Sequence, residues 1–335
     1  MWGHDIMGAM LAQPGRIGLS LPNRGVLFGA ITVDDILWMS EAAEASGLFG
    51  SVWVGDSILA LPRLEALTTL AAIAARTRTI TLGTACLASM PLRHPIQLAH
   101  QWASLDVISG GRMLLGACMG SSPRVSEPHR LEYEAFGYDG RSRPRRMEES
   151  IQALRALWTS EHASLEGKYV SFQDVNLRPK PVQEPCPPIW IASNPFSFNS
   201  SPEVAEQALR RVALLGDGWL MDVVDPTVFR DQLAIVEQYA ERTIPAGVHH
   251  MVNIQEDVKA ARDEAGKFLK TYYHFNFIDQ WMTKWVTAGP PEACAERIQS
   301  YFDAGVGTMI LRFASWDQRG QLERCMAGVL PKLRL

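Results

Sequence analysis

Apolar positions along the chain follow two rhythms. Short continuous apolar runs, many rich in β-branched residues, recur at Arg16–Pro22, Ser51–Asp56, Thr79–Cys86, Met113–Cys118, Ile189–Ala192, Gly218–Val223, His249–Ile254 and Thr308–Phe313. Runs of that length without polar alternation suit parallel strands covered on both faces. Between them, apolar residues fall at helical spacing. Thr32 is placed to cap a helix with Asp34 and Asp35 in its first turn, Ile36, Leu37, Ala43 and Leu48 on its apolar face, and Gly47 at its end. Pro62–Thr77 reads as the next helix. Pro95 opens another, with a face of Leu98, Trp102, Leu105 and Ile108 and a stop at Ser109-Gly110-Gly111. Further helices are predicted over Arg145–Thr159, Glu203–Leu215, Pro226–Arg242, Glu256–Tyr273, Pro291–Ala304 and Gln321–Leu333.

Eight strands alternating with helices imply an α/β fold, a parallel eight-stranded (β/α) TIM barrel. Such a barrel takes about 250 residues, so the 335 present leave room for insertions. The expected organisation is a leader arm over residues 1–15 and one barrel domain over 16–335. Its insertions lie near 120–188, 193–202 and 273–290. The first holds a helix, a hairpin around Glu166-Gly167 and the proline-rich run Arg178–Pro188. The third carries Tyr273, Phe275, Phe277, Trp281 and Trp285, and part of it is expected to close over the site as a lid.

Composition narrows the function. A net charge of −4 and a pI near 6.1 argue against nucleic acid and against an anionic membrane surface as partners. No apolar run is long enough to span a bilayer. The five cysteines are scattered without a C-x-x-C pair, which points to a reducing, cytoplasmic setting and to neither a disulfide framework nor a zinc site.

In a barrel of this kind the chemistry sits at the carboxyl ends of the strands. That selects Asn23, Asp56, Ser57, Ala85, Cys86, Cys118, Met119, Gly120, Ser193, Asn194, Met221 and Arg312. Strands three and four both end in a small residue and a thiol, Ala85-Cys86 and Ala117-Cys118, leaving room for a flat ligand against the backbone. Ser193-Asn194 lies between a strand and a helix, where a phosphate group finds N–H donors. No strand-end lysine or glutamate stands out, as an aldolase or sugar-phosphate isomerase barrel would require. Gly116 and Gly120 lack the spacing of a dinucleotide fingerprint. His94 and His100 are wrongly spaced for metal ligands on one helix face, His249 and His250 point to opposite faces of a strand, and no metal is expected. Arg141–Arg146 reads as a solvated face.

The combination Leu82-Gly83-Thr84-Ala85, Arg93-His94-Pro95 and Leu105-Asp106 with Ser109-Gly110-Gly111-Arg112 resembles the bacterial luciferase-like flavin-dependent oxidoreductases. The likeness extends through Phe49–Asp56, Arg178–Val182, Pro188–Ile191, Gly216–Trp219 and Ala288–Glu292, covering about Arg16 to Leu333. It implies the barrel, a reduced flavin, a small-molecule substrate, a homodimer and, for some chemistries, a separate flavin reductase. The chemistry expected from it is monooxygenation with reduced FMN and molecular oxygen. Hydride transfer with the deazaflavin coenzyme F-420, or a non-catalytic flavin-binding barrel, are the alternatives. Ala85-Cys86 matches the place of a non-prolyl cis peptide under the flavin ring, and Cys118 that of a reactive cysteine beside it. Ala85, Cys86, Met119, Gly120, Ser193 and Asn194 would then bind cofactor, and Cys118, Asp56 and Ser57 would face the chemistry. Two departures stand out. The loop after Ser193-Asn194 is longer than the family's short glycine turn, and Ser57 replaces the histidine that follows the strand-two acid in many relatives.

Overall fold

The computed structural model describes residues 12–124, 126–195, 200–274 and 279–335. Eight strands close into a parallel barrel: β1 (Ile17–Leu21), β2 (Ser51–Val54), β3 (Thr81–Thr84), β4 (Met113–Ala117), β7 (Ile189–Ala192), β8 (Gly218–Asp222), β9 (Ala246–Ile254) and β11 (Thr308–Phe313). β11 pairs with both β9 and β1, and β8 with β9, so the sheet has no free edge within the ring. The excursion between β4 and β7 contains the hairpin β5 (Ala163–Glu166) and β6 (Ser171–Val175).

The barrel is wrapped by α1 (Val33–Ser46), α2 (Ala66–Arg76), α3 (Pro95–Ser109), α5 (Arg143–Thr159), α6 (Pro202–Leu215), α7 (Pro226–Tyr239), α8 (Val258–Tyr273), α10 (Pro291–Asp303) and α11 (Gln318–Arg324), while α4 (Glu127–Ala135) sits in the excursion. α1 starts at a full capping box: Thr32 accepts from the Asp35 N–H, and Asp35 accepts from the Thr32 N–H. Two expected core positions face solvent instead. Leu48 lies past the Gly47 cap, and Ile108 falls one position short of the buried stripe Leu98, Trp102, Leu105 and Ser109.

Inside the ring, Trp53, Leu114, Trp190, Leu220 and Ile310 form a layer of their own, with Ala85 and Ala192 packed against it. Glycines on other strands of the ring make this possible. A Cβ on Gly18 would lie 2.6 Å from Trp53 Nε1, and one on Gly247 would lie 2.9 Å from the Trp190 ring. Both tryptophans therefore fill the lumen, and the ring is a packed core rather than a pore.

The amino-terminal end of the ring is closed by residues 12–15. The carbonyls of Gln13, Pro14 and Gly15 accept, each at 2.7 Å, from the hydroxyls of Thr81, Ser51 and Thr308, the first residues of β3, β2 and β11. These four residues of the expected leader arm are the floor of the barrel. Residues 1–11 lie outside the described residues.

The described part of the third insertion, where a lid is expected, has regular structure. After α8 it forms α9 (Asp279–Trp285) and then β10 (Val286–Gly289), which extends β9 in parallel outside the ring. Trp285 and Met282 are buried with Tyr272 and Phe268. Phe275 and Phe277 lie outside the described residues.

Candidate active site

The strand ends predicted to matter converge at the carboxyl-terminal mouth. The Ala85–Cys86 peptide is cis. Leu87 then bridges to Ala117 on β4, and its N–H donates to the Gly116 carbonyl at 2.7 Å. A side chain at Gly116 would overlap the Thr84 carbonyl, so the two strand ends approach this closely only with glycine there. The approach brings the Cys86 and Cys118 thiols into a hydrogen bond. Donation from Cys86, aided by the Gly120 and Met119 N–H groups, lowers the Cys118 thiol below its ordinary value. The same bond and burial raise Cys86.

Asp56 and Ser57 lie at the end of β2 but are already engaged. Asp56 Oδ2 accepts from the Ser89 N–H at 2.8 Å and its hydroxyl at 2.6 Å, and Oδ1 accepts from Arg93 at 3.0 Å. The Ser57 hydroxyl oxygen accepts from the Leu61 N–H at 2.9 Å. Glu132, which the sequence did not single out, holds the following loop by accepting from the N–H groups of Ile58, Leu59 and Ala60 at 2.7–3.2 Å. Its partners are backbone groups, which leave no trace in a side-chain pattern.

On the far side of the mouth, the Ser193 N–H donates to the Leu220 carbonyl at 3.0 Å and its carbonyl accepts from Trp219 Nε1 at 2.8 Å. Asn194 donates its amide to the Asp222 carbonyl, leaving Asn194 Oδ1 buried without a partner. Of the loop beyond, residues 196–199 lie outside the described residues. Met221, expected at the site, is packed in the core outside the barrel. Leu220 faces the lumen, so the two-residue period of the strand turns Asp222 to the mouth instead. Burial raises the Asp222 carboxyl to about 6, and it forms no ion pair among the described residues.

The excursion closes the third side. Gly120 takes a left-handed conformation (φ +65°), and a Cβ there would lie 3.3 Å from the His129 ring. Ser126 hydrogen bonds His129 Nδ1 at 2.6 Å, and burial lowers that imidazole below its ordinary value. Tyr133 donates to the Met119 carbonyl at 3.4 Å. The expected solvated face over Arg141–Arg146 is only half so. Arg141 and Arg145 are exposed, but Arg143 Nη1 is buried with no hydrogen-bond partner. Arg146 is stacked between Tyr138 and Tyr169, its guanidinium 3.7 and 4.6 Å from the ring centres. Helix periodicity explains this, since α5 turns two of the four arginines inward.

Comparison with known proteins agrees with this architecture. The model of the luciferase-like monooxygenases matches residues 16–308. The chain belongs to that family. It is an oxidoreductase of the luciferase-like group. One relative is an F420-dependent glucose-6-phosphate dehydrogenase of Amycolatopsis mediterranei, 27% identical over 90% of this chain and 94% of that protein. Another is the oxygenase component of a flavin-dependent trigonelline monooxygenase of Acinetobacter baylyi, 30% identical over 48% of this chain and 43% of that protein. Among solved structures, a monooxygenase from Streptomyces bottropensis superimposes with a TM-score of 0.73 at 22% identity, covering 94% of this chain and 99% of that one.

Proposed function

We propose that this luciferase-like oxidoreductase is a monooxygenase that uses reduced FMN and molecular oxygen on a small organic substrate. The observation that carries the reading is the state of the β2 end. Asp56 is saturated by Ser89 and Arg93, and the Ser57 hydroxyl cannot take up a proton near neutral pH. Hydride abstraction from an alcohol needs a base for the hydroxyl proton, and this strand end supplies none.

The residues present fit a flavin. Ala85 and Ala192 are small and lie on the tryptophan layer, which gives a flat ring an apolar seat. Arg143 Nη1 is an orphaned buried donor suited to a phosphate, and the Ser193 hydroxyl, at the end of β7, is a second candidate donor. Asn194 Oδ1 is an orphaned acceptor and suits a ribityl hydroxyl better than a phosphate. When bound, the flavin supplies the electrons and the oxygen-transfer chemistry. The chain would hold the ring over Ala85-Cys86, with Cys118, Met119 and Gly120 beside it. Glu132 fixes the 58–60 loop at the rim. Reduced FMN would come from a separate reductase, as expected for an oxygenase component, and the active form would be a homodimer.

Deazaflavin-linked hydride transfer is the second reading. It is favoured by relatives matched over nine-tenths of the chain and by Asp222, which is raised to about 6 and has the chemistry of a base. The two readings separate on titration of the apoprotein with reduced FMN and with reduced deazaflavin under nitrogen, followed by oxygen. FMN binding at least tenfold tighter, with oxygen consumed, supports the proposal. Tighter deazaflavin binding, with reduction of the oxidised coenzyme by an alcohol in the absence of oxygen, overturns it.

A further inference from the structure

Three guanidinium groups gather at one side of the mouth, and among the described residues no carboxylate balances them. Arg24 follows β1, Arg63 lies in the loop after β2, and Arg312 is on β11. Arg24 and Arg312 are 2% and 1% exposed. All three surround Tyr272. Arg312 and Arg63 lie 5.0 and 5.8 Å from its ring centre, and Arg24 donates to its carbonyl. The remaining bonds are to neutral oxygens. Arg312 donates to Tyr273 Oη at 2.9 Å, to Ser20 Oγ at 2.8 Å and to the Leu21 carbonyl at 3.3 Å, and Arg63 Nε donates to the Leu61 carbonyl at 3.2 Å. Among the described residues, none of the three forms an ion pair. Nε of both Arg24 and Arg312 is buried without a partner, as is Asn23 Oδ1 nearby.

The arrangement is held in place rather than left over. A Cβ on Gly55 would overlap Arg63 Nη1, so glycine at the end of β2 is what admits that guanidinium. Burial, and then the proximity of Arg63, lower Arg24 to about 10, so it remains charged at neutral pH. Buried cations that repel each other are costly unless something compensates them. An oxyanion does so with charge-assisted, forked hydrogen bonds.

We propose that Arg24, Arg63 and Arg312 bind an oxyanion carried by the substrate, a carboxylate or phosphate group, and so select anionic substrates. The inference rests on the flavoenzyme reading for the word substrate, while the anion site itself stands on the arginines alone. Its His249 neighbour does not supply a competing charge. Burial and Arg312 hold that imidazole neutral, with Ser20 Oγ 3.2 Å from Nε2.

The test is calorimetric titration of the full-length protein, with and without FMN, using benzoate and phenyl phosphate as probes and benzamide and phenol as their neutral counterparts. An anion should bind at least tenfold more tightly than its neutral counterpart, with affinity falling as salt rises. Arg63→Gln, at the half-buried rim, should weaken it at least tenfold while FMN binds within threefold of wild type. Arg312→Lys, which keeps the charge but loses the fork, should also weaken the anion. Equal binding of charged and neutral probes, or unchanged anion affinity in both variants, overturns the proposal. Anions that compete with FMN but not with riboflavin assign the arginines to the cofactor phosphate and overturn the substrate assignment. Anion binding without FMN binding leaves the site standing and removes the flavin reading.

Discussion

Ser89 donates both its backbone N–H and its hydroxyl to a single oxygen of Asp56, at 2.8 and 2.6 Å, while Arg93 takes the other oxygen at 3.0 Å. A carboxylate so occupied joins the end of β2 to the segment after β3; it does not shuttle protons. Its side chain is 2% exposed and that of Arg93 14%, so removing it strands a mostly buried cation. Asp56→Ala is expected to cost about 3 kcal/mol of stability, at the lower end for breaking a buried pair because Arg93 keeps Glu65 3.0 Å away. Urea denaturation checks this. A loss under about 1 kcal/mol, on the scale of a surface pair, would remove the structural role.

The thiol pair gives a chemical signature. Cys118 is the acceptor of the bond from Cys86, and that bond leads the causes lowering its thiol. Cys86→Ala removes the donor, so the Cys118 pKa rises and its thiolate fraction at pH 8 falls. Alkylation of Cys118 by iodoacetamide should slow by roughly threefold to tenfold, measured by mass spectrometry of the modified peptide. An unchanged rate would mean that Cys86 does not tune its neighbour.

Asp222 carries a pH dependence of definite sign. Its carboxyl is raised by burial from 3.8 to about 6, so the folded protein holds a proton that the unfolded chain releases. Below the unfolded value both states are protonated and the group costs nothing. As pH climbs from about 4 to 6, stability falls, and above 6 the full penalty is present, roughly 3 kcal/mol for a shift of this size. Asp222→Asn removes the penalty. The variant should match wild type near pH 4 and exceed it by up to about 3 kcal/mol at pH 7.5 in urea melts. A gain of equal size at both pH values would show that the carboxyl does not titrate in this window.

The barrel was legible because its signals are local. Apolar runs, the Thr32 cap and the glycine stops depend on neighbours in the chain, and all eight strands appear where the runs lie. The convergence of Ala85, Cys86, Cys118 and Gly120 was legible for a related reason, since strand ends in a closed barrel share one face. What escaped depends on contacts across the fold. Glu132 acts on backbone N–H groups more than seventy residues away, and Arg63 enters the mouth only because Gly55 admits it. Asp222 escapes notice from the run of β8 alone, because only the lumen-facing Leu220 fixes which of the last residues turns to the mouth. β10 escapes because its four residues, paired beside β9 outside the ring, resemble a loop in composition.

The central claim is that a flavin ring rests on Ala85-Cys86 above the layer of Trp53 and Trp190. The direct measurement is the FMN dissociation constant of Ala85→Leu against wild type, by quenching of flavin fluorescence, with circular dichroism and thermal unfolding as controls for the fold. A leucine at that seat occupies the space assigned to the ring, so affinity should fall at least a hundredfold, about 2.7 kcal/mol, while the variant keeps its secondary structure and a cooperative melt. Wild-type affinity in a folded Ala85→Leu protein would contradict the account, because the ring would then lie elsewhere.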